Sequence, residues 1–292
     1  MVSEDAAAHA AQLSEHAAEH TSHAAGHSAQ AQEGVKEVAN WITLVTERAH
    51  DAPWANFLHH WENVIFSWTI ALVLIVIAYI GTRKPQMIPT PLQNFLETVA
   101  EGLDGFVGQV LGHHGRKHLP FIGTLFLYIF LQNISGIIPG MKASTSSLNT
   151  TIALAVTVFL YVQWTGIKEN GPLGYIHHLM GSPRDLVGWI MVPLNFPLHV
   201  LEEFIKPLSL SLRLFGNILG EDALIAAFIT LGIAVTAFIH LPVGLPFQFP
   251  FMMLACITGT IQALVFSLLS TIYISLMLPH EEDEHEAHEK HH

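Results

Sequence analysis

Six Asp, Glu, Lys and Arg side chains crowd into a stretch of 24 residues that is otherwise mostly apolar or small, and they raise the first chemical question about this chain. The stretch reads His199-Val-Leu-Glu-Glu-Phe-Ile-Lys-Pro-Leu-Ser-Leu-Ser-Leu-Arg-Leu-Phe-Gly-Asn-Ile-Leu-Gly-Glu-Asp222. It lies between two apolar runs, Leu186 to Leu198 and Ala223 to Ile239. Glu202, Glu203, Lys206, Arg213, Glu221 and Asp222 therefore fall inside, or at the edge of, a membrane-embedded segment. A charge at bilayer depth costs at least ~2.5–3.5 kcal/mol per residue, and ionisable groups retained there mark ion paths and proton relays. A short loop between two ordinary spans would account for Glu202 to Lys206. It accounts less well for Arg213, because Leu208 to Gly220 has no turn-forming run. At ~100° per residue, Glu202, Lys206, Arg213 and Asn217 fall within about 40° of one line, with Asp222 nearly opposite Arg213 and Glu221 about a quarter turn away. One helix would then present arginine on one side and acids on another.

A partner for that helix is visible further on. Ala255, Gly259, Gln262 and Phe266 recur at steps of three and four, so small residues and one amide share a stripe. Small residues let membrane helices approach closely, and an amide can hydrogen-bond across the contact. Taken alone, Gln262 reads equally well as glue between helices.

The elements that must carry these residues follow from composition. The 292 residues are 51% hydrophobic and 12% charged, against roughly 25% charged in soluble domains, with a mean hydropathy of +0.42. No Asp, Glu, Lys or Arg occurs in Asn63 to Thr82, Leu119 to Met141, Ala143 to Ile167, or Ala223 to His280. A span needs about 20 apolar residues, so the expected fold is an all-α polytopic membrane protein with about five crossing helices. These are Asn63 to Gly81, Leu119 to about Pro139, about Thr150 to Ile167, Leu186 to His240 and Phe249 to Leu278. A polar loop, Lys142 to Asn149, is expected after the second span, and a loop bearing Gly and Pro, with Lys168, Arg184 and Asp185, after the third. Pro91 to Leu111 has apolar residues at three- and four-residue steps, with Gln93, Glu97, Glu101 and Asp104 on much of the remaining surface. It predicts an amphipathic helix at the membrane surface. Trp41, Trp54 and Trp61 suit an interface. Lys and Arg concentrate after spans one and three (Arg83, Lys84, Arg116, Lys117; Lys168, Arg184), and only Lys142 follows span two. The positive-inside rule then puts the N-terminus outside and, after five crossings, the C-terminus in the cytoplasm.

Three regions are expected: a polar Ala/His-rich tail (1–40), a single membrane domain (41–279) and an acidic, His-rich tail (280–292). Their histidines could hold a metal, but the composition suits low-complexity, solvated tails better. The net charge of -12 lies largely in these tails. With no basic patch to neutralise phosphates, nucleic acid is not a partner. The lone Cys256 can build neither an internal disulfide nor a cysteine metal site. No phosphate-binding Gly-x-x-x-x-Gly-Lys-Ser/Thr loop occurs, so no nucleotide chemistry, metal or other cofactor is expected of this chain itself.

Lys206-Pro-Leu-Ser-Leu-Ser-Leu-Arg-Leu-Phe-Gly-Asn217 resembles the signature of subunit a of F-type ATP synthases. Thr90-Pro-Leu-Gln-Asn-Phe-Leu-Glu97, Leu119-Pro-Phe-Ile-Gly-Thr-Leu-Phe126, Leu148-Asn-Thr-Thr-Ile-Ala-Leu-Ala155 and Ile261-Gln-Ala-Leu-Val-Phe266 are similar to that family in order and spacing. The stretches around Glu202 and after Asn217 look closest to the chloroplast-like and related bacterial branch. The resemblance implies a stationary subunit whose last two helices form a long tilted hairpin against a rotating c-ring. The other partners it implies are the peripheral-stalk b subunits, the rest of the complex and the lipid bilayer, in a bacterial plasma membrane. It implies that Arg213 separates two ion half-channels and that Asn217, Gln262, Glu221 and Asp222 line the path. Ala255 and Gly136 depart from the family, some members of which carry ionisable groups there. His199 aligns with a position that is acidic in several members, so His199 or Glu202 is expected to supply a titratable group to one half-channel. A secondary transporter working alone would often show an inverted repeat, and none is visible. A purely structural subunit would leave Arg213 unexplained.

Overall fold

The computed structural model describes residues 40–48, 57–58, 60–83, 90–112, 115–181, 186–239 and 246–278. Both tails lie outside the described residues, apart from Asn40, as do Trp54, Lys84 and Arg184. Among the described residues there are seven α-helices, one 3₁₀ turn and no strand. The helices are α1 (Trp41–Arg48), α2 (Glu62–Thr82), α3 (Pro91–Leu111), α4 (Gly115–Ser135), α5 (Leu148–Leu179), α6 (Leu186–Ile239) and α7 (Phe249–Met277). Five of them, α2, α4, α5, α6 and α7, are long and apolar enough to cross a membrane. The chain is a polytopic helical membrane protein.

Local chemistry sets several boundaries. Asn40 caps α1: its Oδ1 accepts from the backbone N–H groups of Ile42 at 3.0 Å and Thr43 at 2.9 Å, two donors the helix leaves without intrahelical partners. Thr90 caps α3 by accepting from Gln93 N, and Pro91 supplies the first helical residue. The α3 span coincides with the amphipathic segment expected from the sequence. α4 starts four residues earlier than Leu119, taking Arg116 and Lys117 into its first turn.

The described residues divide into two compact units, those within 40–222 and 249–278 and those within 223–248. In the first unit α4 is central, packed against α7, α3 and α2, and α7 also meets α5 and α3. Ile122, Ile129, Leu210, Leu214, Phe266 and Ile274 are buried in its apolar core. A polar layer runs beside them. Asn133 donates to Gly259 O at 2.9 Å and accepts from Thr145 Oγ1 at 2.9 Å. Gln132 donates to the Tyr128 hydroxyl at 3.1 Å and accepts from Ser144 N at 3.3 Å. The segment between α4 and α5, expected as a polar loop, is thus folded inward, with Ser144, Thr145, Ser146 and Ser147 buried. In the second unit the described residues are the last turns of α6 and the short approach to α7.

One expectation is corrected. The sequence suggests a Gly/Pro-bearing loop with Lys168, Arg184 and Asp185 after the third span, of which Arg184 and Asp185 lie outside the described residues. Instead the chain stays helical to Leu179, with a break at Gly171 (φ 71, ψ 164), backbone that is essentially glycine-only. The piece beyond folds back, and the Tyr175 hydroxyl donates to Gln163 Oε1. On a straight helix these two residues would stand ~18 Å apart at ~1.5 Å per residue.

α6 is 54 residues long, with Pro193, Pro197 and Pro207 inside it, far more than the roughly 20 residues an upright crossing takes. A bilayer core is only ~30 Å thick. Such a helix cannot stand upright within a bilayer, and it carries the candidate site near its middle.

Candidate ion-translocation site along helix α6

The apolar pattern of α6 decides which side chains it presents. Leu210, Ser211, Leu214, Phe215 and Ile218 are buried against the bundle. The opposite face carries Leu201, Phe204, Leu208 and Leu212, each at least 49% exposed. Arg213 sits on that exposed face. It makes no hydrogen bond or ion pair among the described residues. Gly216 and Gly220 share the exposed surface, and a Cβ added to either would meet nothing within 4 Å. Packing among the described residues therefore gives no reason for those glycines.

Polar groups lie on both sides of Arg213 along the helix. Seven residues earlier, ~10 Å at ~1.5 Å per residue, Lys206 meets two carboxylates. Its Nζ is 2.7 Å from Glu203 Oε1 and 3.3 Å from Glu202 Oε1. His199 Nδ1 lies 3.7 Å from the other oxygen of Glu202. Glu203 is buried and also accepts from Gln163 Nε2 of α5 at 2.8 Å. Tyr273 of α7 puts its ring 5.8 Å from Lys206 Nζ, within cation–π range. Glu203, Lys206 and Tyr273 border a small pocket whose apolar wall includes Val158, Val162 and Leu210.

Four residues past Arg213, Asn217 Nδ2 donates to Glu221 Oε1 at 2.7 Å, an i,i+4 contact. The Thr258 hydroxyl of α7 donates to the same Glu221 oxygen. That hydroxyl has a second acceptor, the Leu254 carbonyl at 3.0 Å. Its one proton can serve either, so the pair suits both forms of Glu221. An ionised carboxylate takes the proton; a protonated one donates to the hydroxyl oxygen while the hydroxyl turns back to Leu254. Glu221 and Asp222 are both half-buried.

The structure thus joins Asn217 to Glu221, and His199 to Glu202. It leaves Arg213 unpaired between the two groups and gives Gln262 no hydrogen bond among the described residues. Gln262 is buried, and its Nε2 has no partner. The stripe of Ala255, Gly259, Gln262 and Phe266 is buried as a whole. It faces α4 in part: a Cβ on Gly259 would stand 3.1 Å from Asn133 Cβ.

Glu203 and Lys206 are legible as charges of the embedded segment but not as a pair, although their i,i+3 spacing could have paired them. Two contributors, Thr258 and Gln163, are not singled out by the sequence. They meet their partners across 37 and 40 residues, for which one sequence offers no signal.

Comparison with known proteins places the chain in a family. Residues 64–275 match the family model described as ATP synthase A chain. The chain is 45% identical over 250 residues to ATP synthase subunit a of Protochlamydia amoebophila, covering 86% of this chain and 92% of that protein. It is 40% identical to the namesake subunits of Solidesulfovibrio magneticus (75% of this chain, 85% of that one) and Moorella thermoacetica (74% and 89%). With five apolar spans and matches along most of its length, the chain belongs to the subunit a family, the non-catalytic, proton-translocating membrane subunit of the F-type ATP synthase.

Proposed function

We propose that Arg213 separates two aqueous half-channels and acts on a carboxylate carried past it by a rotating ring of c subunits. The observation that carries this reading is an unpaired arginine on an exposed apolar face, with a polar group on either side of it along one helix. Lipid alone is a poor neighbour for that cation. A second protein surface bearing an acid would pair with it, and Gly216 and Gly220 would let that surface come close.

The physics of arginine suits the role. Its guanidinium stays charged under conditions where lysine can lose its proton. A nearby fixed cation favours the ionised form of an arriving carboxylate, which must then release its proton. In a sector facing lipid the neutral form is favoured. The two environments give alternate unloading and loading, and the same cation obstructs leakage between the half-channels. Each charge moved yields ~2.3 kcal/mol per 100 mV, so several must pass for each ATP.

On this reading Asn217, Glu221, Asp222 and Gln262 line the half-channel on the outer side, and His199 and Glu202 serve the cytoplasmic one. The N-terminus lies outside and the C-terminus in the cytoplasm, in a bacterial plasma membrane. Nucleotide chemistry belongs to other subunits, and the peripheral-stalk b subunits hold this one still. The test is ATP-driven acidification of inverted vesicles containing the assembled complex, with and without Na⁺. Arg213→Ala should abolish pumping with assembly intact. Normal pumping by that variant would reject the mechanism, and a requirement for Na⁺ would replace the proton as the coupling ion.

A further inference from the structure

Two carboxylates share one ammonium on the cytoplasmic side of Arg213, and the structure treats them unequally. Glu203 has an 11% exposed side chain, and both its oxygens are engaged, Oε1 by Lys206 at 2.7 Å and Oε2 by Gln163 at 2.8 Å. Gln163 is held in turn by the Tyr175 hydroxyl, which reaches it because the chain reverses at Gly171. Glu202 has a 50% exposed side chain, stands farther from Lys206 at 3.3 Å, and has His199 on its other oxygen at 3.7 Å. Glu202, Glu203 and Lys206 together carry one uncompensated negative charge. The groups around it on α5 and α7 are the neutral Gln163, Tyr175 and Tyr273.

We infer that Glu203 is a positioning residue that holds Lys206, and so leaves Glu202 as the carboxylate of this cluster that takes up and gives back the translocated proton. The inference deepens the half-channel reading above and rests on it. Glu203 ties the ammonium to α5 through Gln163. Without that tie Lys206 would turn wholly to Glu202 and hold it as a fixed ion pair, and the cluster would lose its movable proton site. The quantity that matters is then the net charge. It is −1 in the native cluster (two acids against one base), 0 in Glu203→Gln, −2 in Lys206→Gln, and −1 again in the double variant.

The test is a double-mutant cycle in assembled complexes, read as ATP-driven acidification of inverted vesicles with Arg213→Ala as control. Each single variant should slow pumping about tenfold, and the double variant should return to within about twofold of the native rate, a coupling of the size neighbouring charges show. Glu202→Gln should stay slow in the native and in the double-variant background. Glu203→Gln pumping at the native rate would overturn the assignment, as would a double variant no faster than the slower single one. If Glu203→Gln does not assemble, the double variant against Lys206→Gln alone decides in the same way. An Arg213→Ala complex that pumps normally would reject the half-channel reading itself. If that control is inactive and no rescue occurs, only the Glu203 assignment falls.

Discussion

Arg213 and Glu221 stand about two helical turns apart on α6: a cation no described residue neutralises, then a carboxylate held by two donors. The second of those donors, Thr258, is the more telling, because it comes from another helix and has an alternative acceptor in Leu254 O. Thr258→Val keeps the side chain's shape and β-branching and removes only the hydroxyl. A hydrogen bond to a charged group contributes ~1.5–3 kcal/mol, so the ionised form of Glu221 loses a partner while the fold keeps its packing. The expected outcome is a complex that assembles normally and pumps several-fold more slowly, with Thr258→Ser close to native. Equal rates in native and Thr258→Val complexes would leave Glu221 independent of α7. Ala255 stands one turn before Thr258 on the same helix, at the position where some family members carry an ionisable group. This chain places its carboxylate on α6 and meets it from α7 with a neutral hydroxyl.

At the scale of the helix, the sequence revealed more about faces than about partners. Periodicity around Arg213 put Glu202, Lys206, Arg213 and Asn217 near one line, and the structure divides that line at the margin between exposed and buried surface: Glu202 and Arg213 out, Lys206 and Asn217 half-buried. Which half each residue joins depends on neighbouring helices, and one sequence does not state those neighbours. The break at Gly171 was legible as a glycine followed by proline. That the helix resumes and folds back was not, because the return is held by Tyr175 on Gln163 and by Asn170 donating to Met277 O at 2.7 Å. Such contacts have no local signature. The exposed glycines of α6 lead to a prediction about the face rather than the fold. Gly216→Leu adds bulk where no described residue lies within 4 Å of the new Cβ, and leucine is a better helix former than glycine by ~1 kcal/mol. The isolated subunit should therefore lose no stability. If the face receives another subunit closely, the assembled complex should lose coupled pumping, or fail to take up the c-ring, while α6 stays helical. Undiminished pumping would mean that no close neighbour passes Gly216.

For the whole molecule, the arrangement of sides follows from parity. Lys117 and Glu169 form an ion pair that ties the start of α4 to the far part of α5, and both lie where the positive-inside rule puts the cytoplasm. Glu62 is buried at the start of α2, bonded to Asn40 and 3.6 Å from Lys142 beyond the end of α4. It gathers the other ends of the helices into one polar cluster. The two clusters lie at opposite ends of α4, so they should face opposite sides of the membrane. Single cysteines can test this once the native Cys256, itself exposed, is replaced by serine. Ile138 and Lys168 are exposed and lie on either side of the α5 crossing, so neither substitution disturbs packing. In intact cells a membrane-impermeant maleimide should label Ile138→Cys and spare Lys168→Cys; in inverted vesicles the pattern should reverse. Labelling of both from one side would remove α5 as a crossing and break the count of five. A reversed pattern would keep the count and invert the protein, which would put the Glu202–Lys206 cluster on the side where protons enter during synthesis and Glu221 on the side where they leave.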